Sequence, residues 1–296
     1  MKKIHEINNR LTIIAGPCSL DNKNIKEVYQ IAQIQVNKKR AIAGTRVVGL
    51  KSRTSLSSDG KNMGIDFAVF MKNLEKIIEG KSPQTFQEPP SVKLAKQICK
   101  DTGLIIATEI MSPLVQLPSF ENEVFKNKLL AWSPAVSQLG WPAMKMALFA
   151  KRNGWSVGIK NGKWKGMEKT WEGVASYVQA HVDLDKAIMI QRGIEVPEKG
   201  KFRSLLVHES AKMMKEKGFQ VYFDPSHSYG PLLRDEIVQG TINAMKLKTS
   251  DGMNVYDGVL IEVGTSVTDT QQHITINELQ DLCNRLSEFR ELVFPK

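Results

Sequence analysis

Short apolar runs, each closed by glycine, proline or a polar cluster, recur along the whole chain. They are LTIIAGP from Leu11, AIAGTRVVG from Ala41, LIIATEI from Leu104, LLAWSP from Leu129, WSVGIKN from Trp155, KAIMIQRG from Lys186, FQVYFDPS from Phe219 and DGVLIEVG from Asp257. Runs of this length, rich in Val and Ile and bounded by turn residues, predict eight β-strands. Between them apolar residues fall at helical spacing, as in Phe67, Phe70, Met71, Leu74, Ile77 and Ile78 before the third run. From Thr275 a capping-box pattern with Glu278, followed by Leu279, Leu282, Leu286 and Val293 on one face, predicts a closing helix. Strands that are apolar throughout and alternate with helices require a parallel sheet covered on both faces. A count of eight predicts a closed (β/α)8 TIM barrel over an open doubly wound sheet. No G-x-G-x-x-G or Walker sequence is present, so the nucleotide cradles of open sheets are missing. The expected organisation is a short N-terminal extension over 1–10 and one barrel domain over 11–296, with no separate regulatory domain.

Composition narrows the class. Of 296 residues 42% are hydrophobic and 24% charged, the range of a globular chain with a sizeable core. Cys18, Cys99 and Cys283 are odd in number, far apart and without a C-x-x-C pair, which indicates neither a disulfide framework nor a zinc ribbon. No apolar stretch approaches the roughly 20 residues of a membrane span, and MKKIHEINNR lacks the apolar core of a signal peptide. The expectation is a cytoplasmic protein without a membrane partner. The net charge of +10 favours anionic partners. Basic residues are mixed with acids, as in KEVYQIAQIQVNKKR, rather than gathered into an arm or stripe, so nucleic acid is not expected and phosphorylated small molecules are.

In a barrel the carboxyl ends of the strands form the active face. Cys18 follows the first run; Arg46, Lys51 and Arg53 surround the end of the second; Glu109 closes the third, Lys160 the fifth and Arg192 the sixth. Asp224 and His227 follow the seventh, and Glu262 ends the eighth, with Asp269 beyond it in TDTQQH. Cys18, His227, Glu262 and Asp269 are a thiol, an imidazole and two carboxylates, a mixed set that suits Mn2+, Fe2+, Co2+ or Zn2+. Taken singly, the cysteine also reads as a small buried hydrophobe and the histidine as a hydrogen-bonded turn residue. Arg46, Lys51, Arg53, Lys160 and Arg192 are five cations whose convergence calls for phosphate or carboxylate guests. Pairing with Glu109, Asp224 and Glu262 as structural salt bridges is the alternative.

The motifs GPCS, LKSRTS, ATEIMSP, GIKNG, QRGI, DPSHS and IEV followed by TDTQQHIT, in this order over nearly the whole chain, resemble the metal-dependent 3-deoxy-D-arabino-heptulosonate 7-phosphate (DAHP) synthases. The resemblance implies a (β/α)8 barrel that condenses phosphoenolpyruvate with erythrose 4-phosphate, the first step of the shikimate pathway, working as a homodimer or homotetramer. It implies that Cys18, His227, Glu262 and Asp269 bind the metal, with Mn2+ foremost. Lys51, Arg53 and Thr54 would hold erythrose 4-phosphate, and Arg46, Lys160 and Arg192 would grip phosphoenolpyruvate. Glu109 matches an active-site carboxylate, Glu109 and Asp224 would join the substrate-binding residues, and Lys51, Glu109, Lys160, Cys18 and His227 would serve catalysis. The chain departs from the family pattern at Ser52, which stands for a proline, at Val136, which stands where an arginine is usual, and at Gln191, which replaces a glutamate. Pro134-Ala135 resembles the sister 3-deoxy-D-manno-octulosonate 8-phosphate synthases, whose acceptor is arabinose 5-phosphate. A non-catalytic paralogue is the further alternative.

Overall fold

Each of the eight apolar runs forms one strand. The computed structural model describes residues 9–51, 63–134, 140–162, 164–266 and 271–293; Ser52, Arg53, Thr54, Val136 and Asp269 lie outside them. The strands are β1 (Arg10–Gly16), β2 (Gly44–Arg46), β3 (Ile105–Glu109), β4 (Leu129–Trp132), β5 (Ser156–Lys160), β6 (Ala187–Gln191), β7 (Gln220–Phe223) and β8 (Gly258–Glu262). All neighbours are parallel and follow chain order, and β1 closes the ring on β8 with Thr12 opposite Gly258 and Gly16 opposite Glu262. The result is a single-domain (β/α)8 barrel.

Side-chain alternation divides the core in two. Ile14, Ala107, Leu130, Trp132, Ile188, Ile190, Tyr222 and Leu260 point into the lumen with Val48, while Ile13, Ile106, Val157, Met189, Val221 and Ile261 point outward beneath the helices. Burial on both faces explains why the strands read as continuous apolar runs. At the end of β1 only glycine fits: a Cβ on Gly16 would lie 2.8 Å from Thr45 Oγ1 and 2.9 Å from the Arg46 nitrogen.

The outer layer comprises α1 (Ile25–Ala32), α2 (Phe67–Ile78), α3 (Pro90–Thr102), α4 (Gly140–Asn153), α5 (Glu168–Gln179), α6 (His208–Glu216), α7 (Ile237–Met245) and α8 (Ile276–Ser287). Two helices stand between β2 and β3. Between β3 and β4 the expected helix is replaced by one turn, Pro113–Gln116, and 3-10 turns over Leu117–Phe120 and Glu123–Phe125. Pro118 cannot donate a helical hydrogen bond and ends the turn, and the buried Phe120 and Phe125, with ring centroids 5.3 Å apart, cover the sheet there instead. Trp171 belongs to the core and donates its indole N–H to the Ile159 carbonyl at 2.8 Å; Phe149 is half-buried, and Trp141 is exposed. Among the described residues no helix is long and apolar enough to cross a membrane.

The capping box of α8 forms as expected, with Thr275 Oγ1 accepting from the Glu278 nitrogen at 3.2 Å and Glu278 Oε2 from the Thr275 nitrogen at 2.7 Å. Val293, however, is not on that helix. The chain turns after Ser287, and β9 (Glu291–Leu292) pairs in parallel with Arg10 and Leu11, so that the Val293 N–H donates to the Leu11 carbonyl at 2.9 Å. The reason lies in β1, which starts two residues before its register with β8 and leaves backbone groups there to be answered.

Arg290 locks this corner. Fully enclosed, it donates to the carbonyls of Asn9 (3.2 Å), Arg10 (3.0 Å), Met245 (3.2 Å) and Tyr256 (2.9 Å), and burial lowers its pKa to about 10. Replacement of Arg290 by methionine keeps the bulk but strands these acceptors, so the unfolding midpoint in urea should fall by an amount equivalent to ~3 kcal/mol. A loss below ~0.5 kcal/mol would show that water answers the carbonyls equally well.

Candidate functional site

The carboxyl ends of the strands gather the charged residues that the sequence places there. Arg46, Glu109, Lys160 and Glu262 are the last residues of β2, β3, β5 and β8; Cys18, Lys51, Arg192, Asp224 and His227 lie in the segments just beyond β1, β2, β6 and β7. All nine are buried. Cys18 is not part of a disulfide.

Three of the four described cations meet a carboxylate. Arg46 Nη2 lies 2.9 Å from Glu262 Oε1, Lys160 Nζ 3.1 Å from Asp224 Oδ2 and Lys51 Nζ 3.5 Å from Glu109 Oε2. The salt-bridge alternative therefore holds for these pairs, and the cations do not face one another bare. Burial pulls the Arg46 and Lys51 pKa values down, but the nearby anions outweigh it and both end above their ordinary values: Glu262 does most for Arg46, and Cys18 followed by Glu109 for Lys51. Burial pushes Glu109, Asp224 and Glu262 upward, yet all three end below the usual carboxylate range. Lys51 and Lys160 hold Glu109 down, His227 and Lys160 hold Asp224, and His227 and Arg46 hold Glu262.

Arg192 differs. Its guanidinium Nη2 donates to Ser204 Oγ at 2.8 Å, and burial lowers its pKa against the counter-pull of Asp224. Its backbone is stapled by two side-chain amides, Asn161 and Gln191. Asn161 Oδ1 accepts from the Arg192 nitrogen at 2.7 Å, and Gln191 Oε1 accepts from the Gly193 nitrogen at 2.8 Å. Gly193, at φ +82°, turns the chain against the Ser204 and Leu205 carbonyls, where a Cβ would lie 2.6 Å from the first. The Gln191 that departs from the family pattern thus holds the loop, its Nε2 donating to Val207 O and Ser210 Oγ.

Beyond β7, Asp224 caps the short helical turn Pro225–Tyr229 and accepts from both the nitrogen (3.3 Å) and Nδ1 (2.9 Å) of His227. Burial lowers the His227 pKa to about 4, so the imidazole is neutral near pH 7. With Nδ1–H given to Asp224, Nε2 presents its lone pair toward Glu262 Oε1, 3.7 Å away. Two acceptors facing across that gap favour a cation between them. Glu262 is braced from behind by Gln272, whose Nε2 donates to Oε2 at 2.8 Å and whose Oε1 accepts from Arg203 Nη1. The Ser226 hydroxyl accepts from the Glu262 nitrogen at 2.9 Å, tying the β7 loop to β8. Gln272 lies within the TDTQQHIT stretch, but its bond to Glu262 is a tertiary contact that the sequence does not spell out.

By ligand type alone, the described part of the expected metal site suits a divalent ion: the soft Cys18 sulfur and the oriented His227 Nε2 lie just beyond β1 and β7, and the Glu262 carboxylate ends β8, strands that adjoin in the ring. Among the described residues no three such groups converge closely enough to hold one ion, and Asp269 is outside them.

Three buried donors at this end of the barrel have no partner among the described residues: Arg46 Nη1, Arg192 Nε and Trp132 Nε1. Buried polar groups are rarely left so, and an anionic ligand is one group that would answer them.

No protein-family profile matches the chain, and no curated protein sequence matches it. Solved structures do match in fold. A crystal structure of phospho-2-dehydro-3-deoxyheptonate aldolase (DAHP synthase) from Thermotoga maritima superposes with a TM-score of 0.67 at 16% identity, covering 95% of this chain and 69% of that one. A truncated form of 3-deoxy-D-arabino-heptulosonate 7-phosphate synthase from Thermotoga maritima gives 0.64 at 16% identity, covering 95% and 87%. At that identity the likeness is one of fold.

Proposed function

We propose that the chain is a metal-dependent 3-deoxy-7-phosphoheptulonate synthase, condensing phosphoenolpyruvate with erythrose 4-phosphate to give DAHP and phosphate. The observation that carries this reading is the group of buried cations at the strand ends, in which Arg46 Nη1 and Arg192 Nε have no acceptor among the described residues. Among the described residues Arg192 meets no carboxylate at salt-bridge distance, and in a site of low dielectric a phosphorylated carboxylic acid would answer it. The motif resemblance and the fold shared with the two Thermotoga synthases agree with that chemistry.

In this reading Arg46, Lys160 and Arg192 hold the phosphate and carboxylate of phosphoenolpyruvate, and Lys51 with Arg53 and Thr54 holds erythrose 4-phosphate. Carbon 3 of phosphoenolpyruvate attacks the aldehyde carbon and forms the new C–C bond. Water then adds at carbon 2, and cleavage of its bond to the phosphate oxygen releases inorganic phosphate. Lys51, whose pKa is raised by Cys18 and Glu109, acts as a fixed charge rather than a proton donor. Asp224 keeps the His227 proton on Nδ1, leaving Nε2 as a ligand. A divalent ion, Mn2+ first, held by Cys18, His227, Glu262 and Asp269 would supply Lewis-acid polarisation of the aldehyde oxygen.

The test is direct. Protein stripped with a chelator and resupplied with Mn2+ should consume phosphoenolpyruvate, followed by its ultraviolet absorbance, with erythrose 4-phosphate and release one phosphate per turnover. Turnover with arabinose 5-phosphate alone would reassign the acceptor. No turnover with either would leave a binding protein rather than an enzyme.

A further inference from the structure

Trp132 closes β4, opposite Glu109 of β3, and its side chain turns into the lumen beside Leu130. It is fully buried. The ring lies among charged side chains, with Arg46 Cζ 5.6 Å and Lys160 Nζ 5.5 Å from its centroid. Those cations are drawn to the electron-rich face of the indole, whereas the N–H at its edge is itself a positive pole. That N–H has no acceptor among the described residues, although buried indoles usually find one. Packing accounts for the bulk of the side chain but not for a buried donor left without an acceptor.

We propose that Trp132 is a substrate-binding residue whose indole N–H donates to an anionic oxygen of the phosphoenolpyruvate held between Arg46 and Lys160. The inference rests on the reading of this pocket as a phosphoenolpyruvate site and adds a neutral, directional donor from β4 to the cations supplied by β2, β5 and the β6 loop. Among the described residues of β4, Trp132 supplies the side chain with a hydrogen-bonding group.

Trp132→Phe keeps an aromatic ring in the lumen and removes the donor together with the pyrrole part of the indole. Titration calorimetry with phosphoenolpyruvate, and separately with inorganic phosphate, should show binding to the wild-type protein and at least ~10-fold weaker phosphoenolpyruvate binding by the variant. The ligand-free variant loses the volume of the pyrrole ring and should melt at a somewhat lower temperature, so phosphoenolpyruvate affinity rather than stability is the deciding readout. Equal affinity in the two proteins would overturn the inference and assign the N–H to a buried water, leaving the proposed function standing. A wild-type protein that binds neither ligand would overturn both. Should the variant fail to fold, the 15N-indole signal of Trp132 in the wild-type protein decides: it moves downfield on saturation with phosphoenolpyruvate if the bond forms and stays in place if it does not.

Discussion

Asp224→Asn should lower turnover by about 100-fold, the scale on which residues that orient a ligating histidine act, and should also destabilise the fold by roughly 3 kcal/mol. Both effects come from one carboxylate with two duties. Oδ2 balances Lys160 at 3.1 Å, and Oδ1 fixes His227 through Nδ1 at 2.9 Å, with the whole group out of water. An asparagine of the same shape brings an NH2 that must face either the ammonium of Lys160 or the Nδ1–H of His227, so one donor always meets another. The buried Lys160 charge then lacks its counter-ion, a costlier state than having neither partner. Denaturant unfolding and steady-state rates on the same preparation check the two halves. A variant that kept full stability would show that Lys160 draws its compensation from elsewhere in the pocket.

His227→Ala, three residues on, should separate the two effects. Turnover should fall on the order of 1,000-fold, as when a preorganised group facing developing charge is removed, while stability changes by less than about 1 kcal/mol. Asp224 retains Lys160, and Glu262 retains Arg46 at 2.9 Å and Gln272 at 2.8 Å, so no buried charge is orphaned. Mn2+ titration of the stripped variant should show weakened binding, and Cys18→Ser should behave in the same direction. Undiminished Mn2+ affinity in both variants would remove these two residues from the metal site.

The barrel was legible because its strands are buried on both faces, which leaves apolar runs such as LLAWSP and KAIMIQRG that no surface helix would carry. The end of the chain was not. Leu286 and Val293 are spaced as a helix would space them, but pairing with the free start of β1 claims Glu291 and Leu292. That competition lies in tertiary structure and is invisible to periodicity. The site divides in the same manner. Arg46, Glu109, Lys160 and Glu262 end their strands, where position alone signals chemistry. Trp132 also ends a strand, yet its aromatic character reads as core and conceals the unanswered N–H. Arg203 with Gln272 and Asn161 with Arg192 act through contacts between segments far apart in sequence, and such polar residues look alike until their partners are in view.

The pairing of β1 with β8 has a consequence for how the chain is made. Synthesis runs from β1, whose partner along one whole edge is the last barrel strand to leave the ribosome. Until β8 emerges, β1 offers a row of unanswered amides and carbonyls on an apolar ribbon, the kind of edge that recruits other chains. The nascent protein therefore spends most of its synthesis as an open, adhesive sheet. Its yield in a cell-free system should depend on the supply of chaperones during translation far more than on the stability of the finished ring.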